Sequence, residues 1–560
     1  MIGHVGPISG VAAFGTNRVA TAGYDNRLIL WQLNGQQGAP VACAQAHHDH
    51  LTNSCQFSQA GDLLVSASSD CSARIWSVPD LRLQAVLTDH NDDVEMATFS
   101  PDDQHIATAS RDYKGRVFDR AGRLLCELVG HERDVLSITW TRDGRRLVTS
   151  GDDGTVREWD ADSGTEIKTY DLSGAETDTI AITPDAALLA GDDRGVINIL
   201  SGGQRTEVDA HQSGIKRLTL SDDGSRLISI SYDRTVRLWT VNDKTLHPLR
   251  NGSIPDIVWP RSAAFLDEDR VVFGTFGSSF ATWQSSDDHW ACNHVIADKS
   301  LNAACFIDND LYTIGDAGRL YKNNELISDL GSLCNFATPF AATVITGGQS
   351  GTVFDGLQGA AIYSNDSPLN CAVVARWCGI ETVFVGTYSG DALLVQRDRA
   401  GVSVVGRVSL HDNAIKGLAA NSDTLFSVCA TGAVAFHDLS DLKLKRLADP
   451  GHDKIANGAV VIDGGFASVG RDKMLRIWLE SGDIAVETPH QNSIKCISAN
   501  SSGHTLLTGS YTGWIAEFDL TQGVWTRYFK LSTSGVACIC YNARTGQFHA
   551  VTYDGMVHGV

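Results

Sequence analysis

The side chains best able to do chemistry recur at a fixed spacing. Segment 130–160 reads GHERDVLSITWTRDGRRLVTSGDDGTVREWD, segment 210–239 reads AHQSGIKRLTLSDDGSRLISISYDRTVRLW, and segment 451–478 reads GHDKIANGAVVIDGGFASVGRDKMLRIW. Each carries a His, two short apolar runs around a polar turn, an Asp, and a third run ending in Trp. A His near an Asp is the raw material of general acid–base catalysis. Here the pair returns unit after unit, which is how scaffolding is built and not how one active site is built. A structural role is therefore expected for these residues. His289, His294 and His437 break the pattern and are the candidates for an enzyme site acting on a small molecule.

Other chemical signals are weak. The GDDG run from Gly151 to Gly154 lacks the alternating acidic residues and terminal Glu of a calcium loop, so it reads as a tight turn. There is no phosphate-binding Gly-rich loop before a helix and no G-x-S-x-G nucleophile elbow. The 13 cysteines contain no CxxC pair, and Cys538 and Cys540 alternate on one strand. They read as small buried hydrophobes in a reducing compartment. No catalytic residue, cofactor or metal is expected.

Composition narrows the partners. The chain of 560 residues is 43% hydrophobic and 20% charged, ordinary for globular protein. The N-terminus shows no secretory signal, and no apolar run is long enough for a membrane helix. A cytoplasmic location is expected. The formal net charge is −21. Residues 1–290 hold 41 acidic and 26 basic side chains, and residues 291–560 hold 25 and 19. Phosphate backbones and anionic lipids are bound by positive surface, so neither nucleic acid nor membrane is an expected partner.

The elements that must position these residues are strands. The repeat is roughly 40 residues long, the length of one four-stranded propeller blade. Its runs are short, alternating or β-branched, and bounded by Gly, Asp, Asn or Ser. The expectation is an all-β chain of about fourteen blades in two rings, with domains at 1–290 and 291–560. The count is least defined within 290–400.

The pattern resembles the WD-repeat (WD40) family across nearly the whole chain. In that family a loop His, a Ser or Thr of the second strand, a turn Asp and a Trp of the third strand form a hydrogen-bonded tetrad. Five units match fully: His4, Thr21, Asp25 and Trp31; His48, Ser66, Asp70 and Trp76, with His47 as an alternative to His48; His131, Thr149, Asp153 and Trp159; His211, Ser229, Asp233 and Trp239; and His452, Ser468, Asp472 and Trp478. Other units are degenerate. One keeps His90, Thr108 and Asp112 but has Phe118 for Trp, another keeps only Asp193 as its turn acid, and a third pairs His411 and Ser427 with Thr431 and His437. The tandem arrangement is similar to that of actin-interacting protein 1.

The resemblance also implies where partners dock. In the family, the residues three and five places after the loop His, and the one before the turn Asp, face the narrow end of the channel. Here these are Pro7, Ser9 and Tyr24; Leu51, Asn53 and Ser69; Asp93, Glu95 and Arg111; Asp134, Leu136 and Asp152; Lys216 and Tyr232; and, in the second ring, Ile455, Asn457, Arg471, Lys495 and Tyr511. Asp93, Glu95, Asp134 and Asp152 lie on adjacent blades, so a strongly negative sector suited to a basic partner segment is expected. The function expected is a non-enzymatic protein-interaction scaffold or recognition subunit. The degenerate, Asp-Gly-rich repeats suggest a bacterial signalling or defence assembly, and the tandem architecture suggests an actin-associated regulator as an alternative. The last unit, ending TYDGMVHGV, reads as three strands. Its open edge could accept a partner's strand, or the unit could close the first ring instead.

Overall fold

The computed structural model describes residues 2–33, 40–242, 244–297, 299–399 and 401–560. The chain divides into two compact units, residues 1–298 and 299–560. Each unit holds seven antiparallel sheets, with strands in plain sequence order from the inside outward. We number the sheets as blades. Blades 1 to 7 span 8–47, 52–87, 94–129, 135–171, 177–209, 215–253 and 258–291. Blades 8 to 14 span 301–329, 334–364, 369–409, 415–448, 456–487, 494–530 and 536–559. Among the described residues blade 14 has three strands and the others have four. Among the described residues there is no helix, and hence none able to cross a membrane.

In each unit the innermost strands touch in turn around a ring. The strand Ile8–Phe14 of blade 1 packs against Val258–Phe265 of blade 7, and Leu301–Ile307 of blade 8 packs against Val536–Asn542 of blade 14. Each ring thus closes on its own first and last blades. The alternative in which the C-terminal unit closes the first ring is not what the structure shows.

Burial explains why the strands read as they do. Inner strands are sandwiched between neighbouring blades, so both faces are covered and a near-continuous apolar run results. Leu63–Ser68 is buried throughout, whereas the outer strand Glu166–Asp171 is exposed at five of six positions. The core lies between blades. Ala20, Leu28 and Leu30 of blade 1 pack against Phe57, Leu64 and Trp76 of blade 2.

One irregularity repeats around both rings. Each innermost strand skips one residue in its pairing to the second strand, between Ile8 and Gly10, Thr52 and Ser54, Val94 and Met96, and so on to Val536 and Cys538. Blade 7 has a wider break, from Val258 to Ala263. A bulge bends the strand and re-aims the extra side chain. Here it turns one residue per blade out of the sheet at the same end of the ring.

Candidate partner-docking faces

The five full units form closed relays. In blade 1, Trp31 Nε1 donates to Thr21 Oγ1 at 2.7 Å, and the His4 ring lies 2.7 Å from Thr21 Oγ1 and 2.9 Å from Asp25 Oδ1. An ionised Asp only accepts, so His4 Nδ1 must carry the proton. Nε2 of the neutral ring then accepts from the Thr21 hydroxyl, which is left to accept from the indole. Every polar group is satisfied in one direction only. The same geometry holds at His48, Ser66, Asp70 and Trp76, so His48 and not His47 serves blade 2. It holds also at His131, Thr149, Asp153 and Trp159, at His211, Ser229, Asp233 and Trp239, and at His452, Ser468, Asp472 and Trp478. Burial pushes the Asp233 carboxyl up, but hydrogen bonds from His211, Thr235 and the Gln212 amide outweigh it and hold the group at about 2. With the His rings buried and all their bonds used, these groups have no capacity left for a substrate.

Degenerate blades solve the same problem differently. In blade 3 the guanidinium of Arg116, almost fully buried, lies between His90 Nδ1 at 2.9 Å and Asp112 Oδ2 at 2.7 Å. The ring therefore accepts from Arg116, and its Nε2 faces Thr108 Oγ1 at 3.2 Å. In blade 5 the turn acid is Asp192, not Asp193. Asp192 accepts from the amides of Arg194 and Val196 and from Asn198, while Asp193 faces the channel. In blade 7, Trp283 Nε1 donates to Asp288 Oδ1 at 2.8 Å. Of the pattern-breaking histidines, His289 is exposed on an outer strand, His294 donates to the Phe280 carbonyl, and His437 is buried at the Trp position of blade 11. Each sits in a separate environment.

The bulge residues split into two kinds. Some stitch the ring. Asn53 Nδ2 donates to Val94 O, Asn302 to Cys334 O, Asn335 to Leu369 O, Asn370 to Ile415 O and Asn457 to Ile494 O, at 2.7–3.1 Å. Ser9 does the same to Thr52 O. In each case the acceptor is the carbonyl just before the next blade's bulge. Ser9, Asn53 and its partner Ser69 are thus parts of the scaffold and not surface offered to a ligand.

The other kind is charged. In the first unit a cavity of about 110 Å³ opens among Asn53, Glu95, Arg111, Lys216, Tyr232 and Arg261. Arg111 pairs with Glu95 at 2.5 Å and with Asp134, and Arg261 reaches Glu95 at 3.2 Å. Lys216 pairs with Asp178 at 2.5 Å and Asp193 at 2.8 Å, with its ammonium over the Tyr232 ring. Tyr24 stands edge-on to Trp259 beneath the Arg261 guanidinium. The sector of Asp93, Glu95, Asp134 and Asp152 is therefore not a bare negative patch, because Arg111 and Arg261 neutralise part of it. Burial, with the charges of Asp134 and Glu176, pushes the Asp152 carboxyl well above the usual range.

Reading by the loop His missed Asp178, Asp193, Trp259 and Arg261. Blade 5 has no loop His to count from, and Trp259 and Arg261 lie inside the wide break of blade 7. In the second unit Arg471 and Lys495 both face the Tyr511 ring, at 5.9 and 5.8 Å. Lys416 and Tyr388 join that face and were missed, although Lys416 stands five places after His411.

Comparison with known proteins finds the same repeat in part of the chain. The WD domain, G-beta repeat, model matches residues 38–77, 81–119, 122–160 and 202–240. Each stretch joins the outer strand of one blade to the three inner strands of the next, so a repeat straddles two blades and links them covalently. A WD repeat-containing protein 26 homolog of Arabidopsis thaliana is 28% identical over 33% of this chain and 33% of its own length. A guanine nucleotide-binding protein subunit beta of Nicotiana tabacum is 26% identical over 40% of this chain and 66% of its own. The matches thus span less than two thirds of either relative. The WD40 β-propeller domain of Doa1 aligns with 49% of this chain and 90% of its own at 20% identity, with a TM-score of 0.43.

Proposed function

We propose that this chain, whose residues 38–77, 81–119, 122–160 and 202–240 match the WD repeat, is a non-enzymatic scaffold whose first propeller holds a protein partner at its channel mouth. The observation that carries the reading is the ring of bulge and turn residues at one end of that propeller. Glu95, Asp178 and Lys216 come from bulges, and Tyr24, Arg111, Asp152, Asp193 and Tyr232 from turns. Tyr and Arg are enriched among the residues that dominate binding energy. Glu95, Asp134, Asp178 and Asp193 are held by Arg111, Lys216 and Arg261, and a basic partner segment would compete with those cations for the same carboxylates.

A second contact we propose is strand addition at blade 14: among the described residues its strand Val557–Gly559 pairs only with Gln547–Thr552, and such an edge pairs readily with an extended segment of a partner. We place this scaffold in the cytoplasm. A bacterial signalling or defence assembly is its setting on the Asp-Gly-rich degenerate turns alone.

The test is affinity capture from native cells with mass spectrometry, repeated with Tyr24→Ala/Tyr232→Ala and with charge reversal at Asp93, Glu95, Asp134 and Asp152. The expected result is a partner held by the wild type, lost with the tyrosines, and associating more slowly and with less salt dependence after reversal. A partner held equally by every variant contradicts the docking face.

A further inference from the structure

The second propeller departs from its own scaffold pattern at three bulges, with Ala537 in blade 14 and a cation at the other two. Asn occupies the bulge in blades 8, 9, 10 and 12 and donates to the next blade's carbonyl. In blades 11 and 13 the bulge residue is instead Lys416 and Lys495. A lysine at this place gives up a stitch that neutral Asn makes four times in the same ring. Blade 14 gives up the same stitch with Ala537, whereas blades 11 and 13 put a cation in its place.

These lysines are not isolated. Arg471 projects from the turn of blade 12, between them. Lys416 Nζ lies 4.2 Å from the Tyr388 ring of blade 10, and Tyr511 of blade 13 is shared by Arg471 and Lys495. Tyr388, Arg471, Tyr511 and Tyr553 hold the same turn position in blades 10, 12, 13 and 14, each donating its amide to the carbonyl just before its blade's innermost strand, and Lys416 and Lys495 are bulge residues at that same end of the ring. All six are half-buried and so remain partly open to solvent. Among the described residues neither Lys416 nor Lys495 forms an ion pair, in contrast to Lys216 at the same position of blade 6. Three cations on neighbouring blades, with two carrying no carboxylate partner, make a field that favours an anion.

We infer that the channel mouth of the second propeller, where Lys416, Arg471 and Lys495 stand among Tyr388, Tyr511 and Tyr553, docks an acidic peptide segment. The cations are separated by tyrosine rings instead of converging on one point. That spacing suits carboxylates carried along an extended chain better than one compact phosphate. The rings supply flat surface for the apolar stems between those carboxylates. The inference rests on the reading of this chain as a protein-binding scaffold and adds a second face of opposite preference.

The test uses the full chain and a fluorescein-labelled hexaglutamate peptide, with binding followed by anisotropy. The variants are Lys416→Asn and Lys495→Asn, singly and together, which install the residue that the other blades carry. They should fold with an unchanged or raised Tm, since the missing stitch is restored. The wild type should bind the peptide with an affinity that falls as salt rises. The double variant should lose at least about tenfold in affinity, and inorganic phosphate should not displace the peptide at matched concentration. Equal binding by the double variant, no binding by the wild type at low salt, or displacement by phosphate would each overturn the inference. Partner capture through the first propeller is read separately with the same double variant. In the double variant, capture retained with hexaglutamate binding lost is the expected result; a wild type that captures its partner but does not bind hexaglutamate removes this inference alone, and hexaglutamate binding without any captured protein removes the scaffold reading.

Discussion

Arg116 Nη1 lies 2.9 Å from Nδ1 of His90, at the place where the complete blades put an Asp carboxylate. The guanidinium carries the link on to Asp112 and to Glu127. Blade 3 has therefore kept its His and Asp but inserted a cation between them. Arg116→Met should strand His90 and Asp112 together, at a cost of about 3–5 kcal/mol for a broken buried pair. Urea unfolding of the whole chain measures this. A loss under about 1 kcal/mol would mean that the blade tolerates the orphaned groups.

The complete relays carry a steric corollary. A Cβ on Gly23 would stand 2.5 Å from His4 Nδ1 and 2.6 Å from Asp25 Oδ1. Gly23→Ala should force the pair apart and cost about 1–3 kcal/mol. Trp159→Ala should cost about 3–5 kcal/mol as a large-to-small core change, and Asp153→Ala about 1–3 kcal/mol. Wild-type thermal stability in Trp159→Ala, with loss of a specific activity, would make the relay functional and not structural.

Acid should expose the relay electrostatically. Asp233 titrates at about 2 in the fold, against 3.8 ordinarily. A depressed carboxylate contributes stability that is fully present above its unfolded value and is lost as pH falls through the folded one. The window is thus about pH 4 down to 2, and the contribution is on the order of 1–2 kcal/mol. Asp233→Asn should flatten the stability curve there. An unaltered slope would place the acid sensitivity elsewhere.

The proposed anion face has a pH signature at the basic end. Burial, the charge of Lys495 and that of Arg471 hold Lys416 down to about 8, against the opposing influence of Tyr511 and Cys429. Tyr388 lies against its ammonium, and Cys371 faces it from blade 10. The ammonium is lost as pH rises through that value, so hexaglutamate affinity should weaken between about pH 7 and 9. In Lys416→Asn the decline should be shallower. A decline of equal steepness would assign the titration to another group.

How much of this was legible in the sequence follows from what each residue is tied to. The five full relays were readable because the Asp sits in the tight turn that opens the strand carrying the Trp, six residues on in every case, so their spacing cannot drift. Blades 8 to 10 lack the His and Trp, and only alternation and turns mark them. The adjacent Asp192 and Asp193 are indistinguishable by spacing, and only the backbone amides they reach tell the turn acid from the channel acid. Arg116 was invisible, because its role depends on a side chain folding back into its own blade. The ion pairs of Arg111 and Arg261 were also invisible, since Glu95 and Arg261 meet across the ring from positions 166 residues apart.

The central claim is that a protein partner sits on the channel mouth of the first propeller. Hydrogen exchange of the chain with and without the captured partner tests it most directly. The turn and bulge segments around Tyr24, Glu95, Arg111, Asp152, Lys216 and Tyr232 should gain protection together, while the outer strands of blades 1 to 6 exchange as before. Protection confined to those outer strands, or absent from every turn of the first propeller, would contradict it.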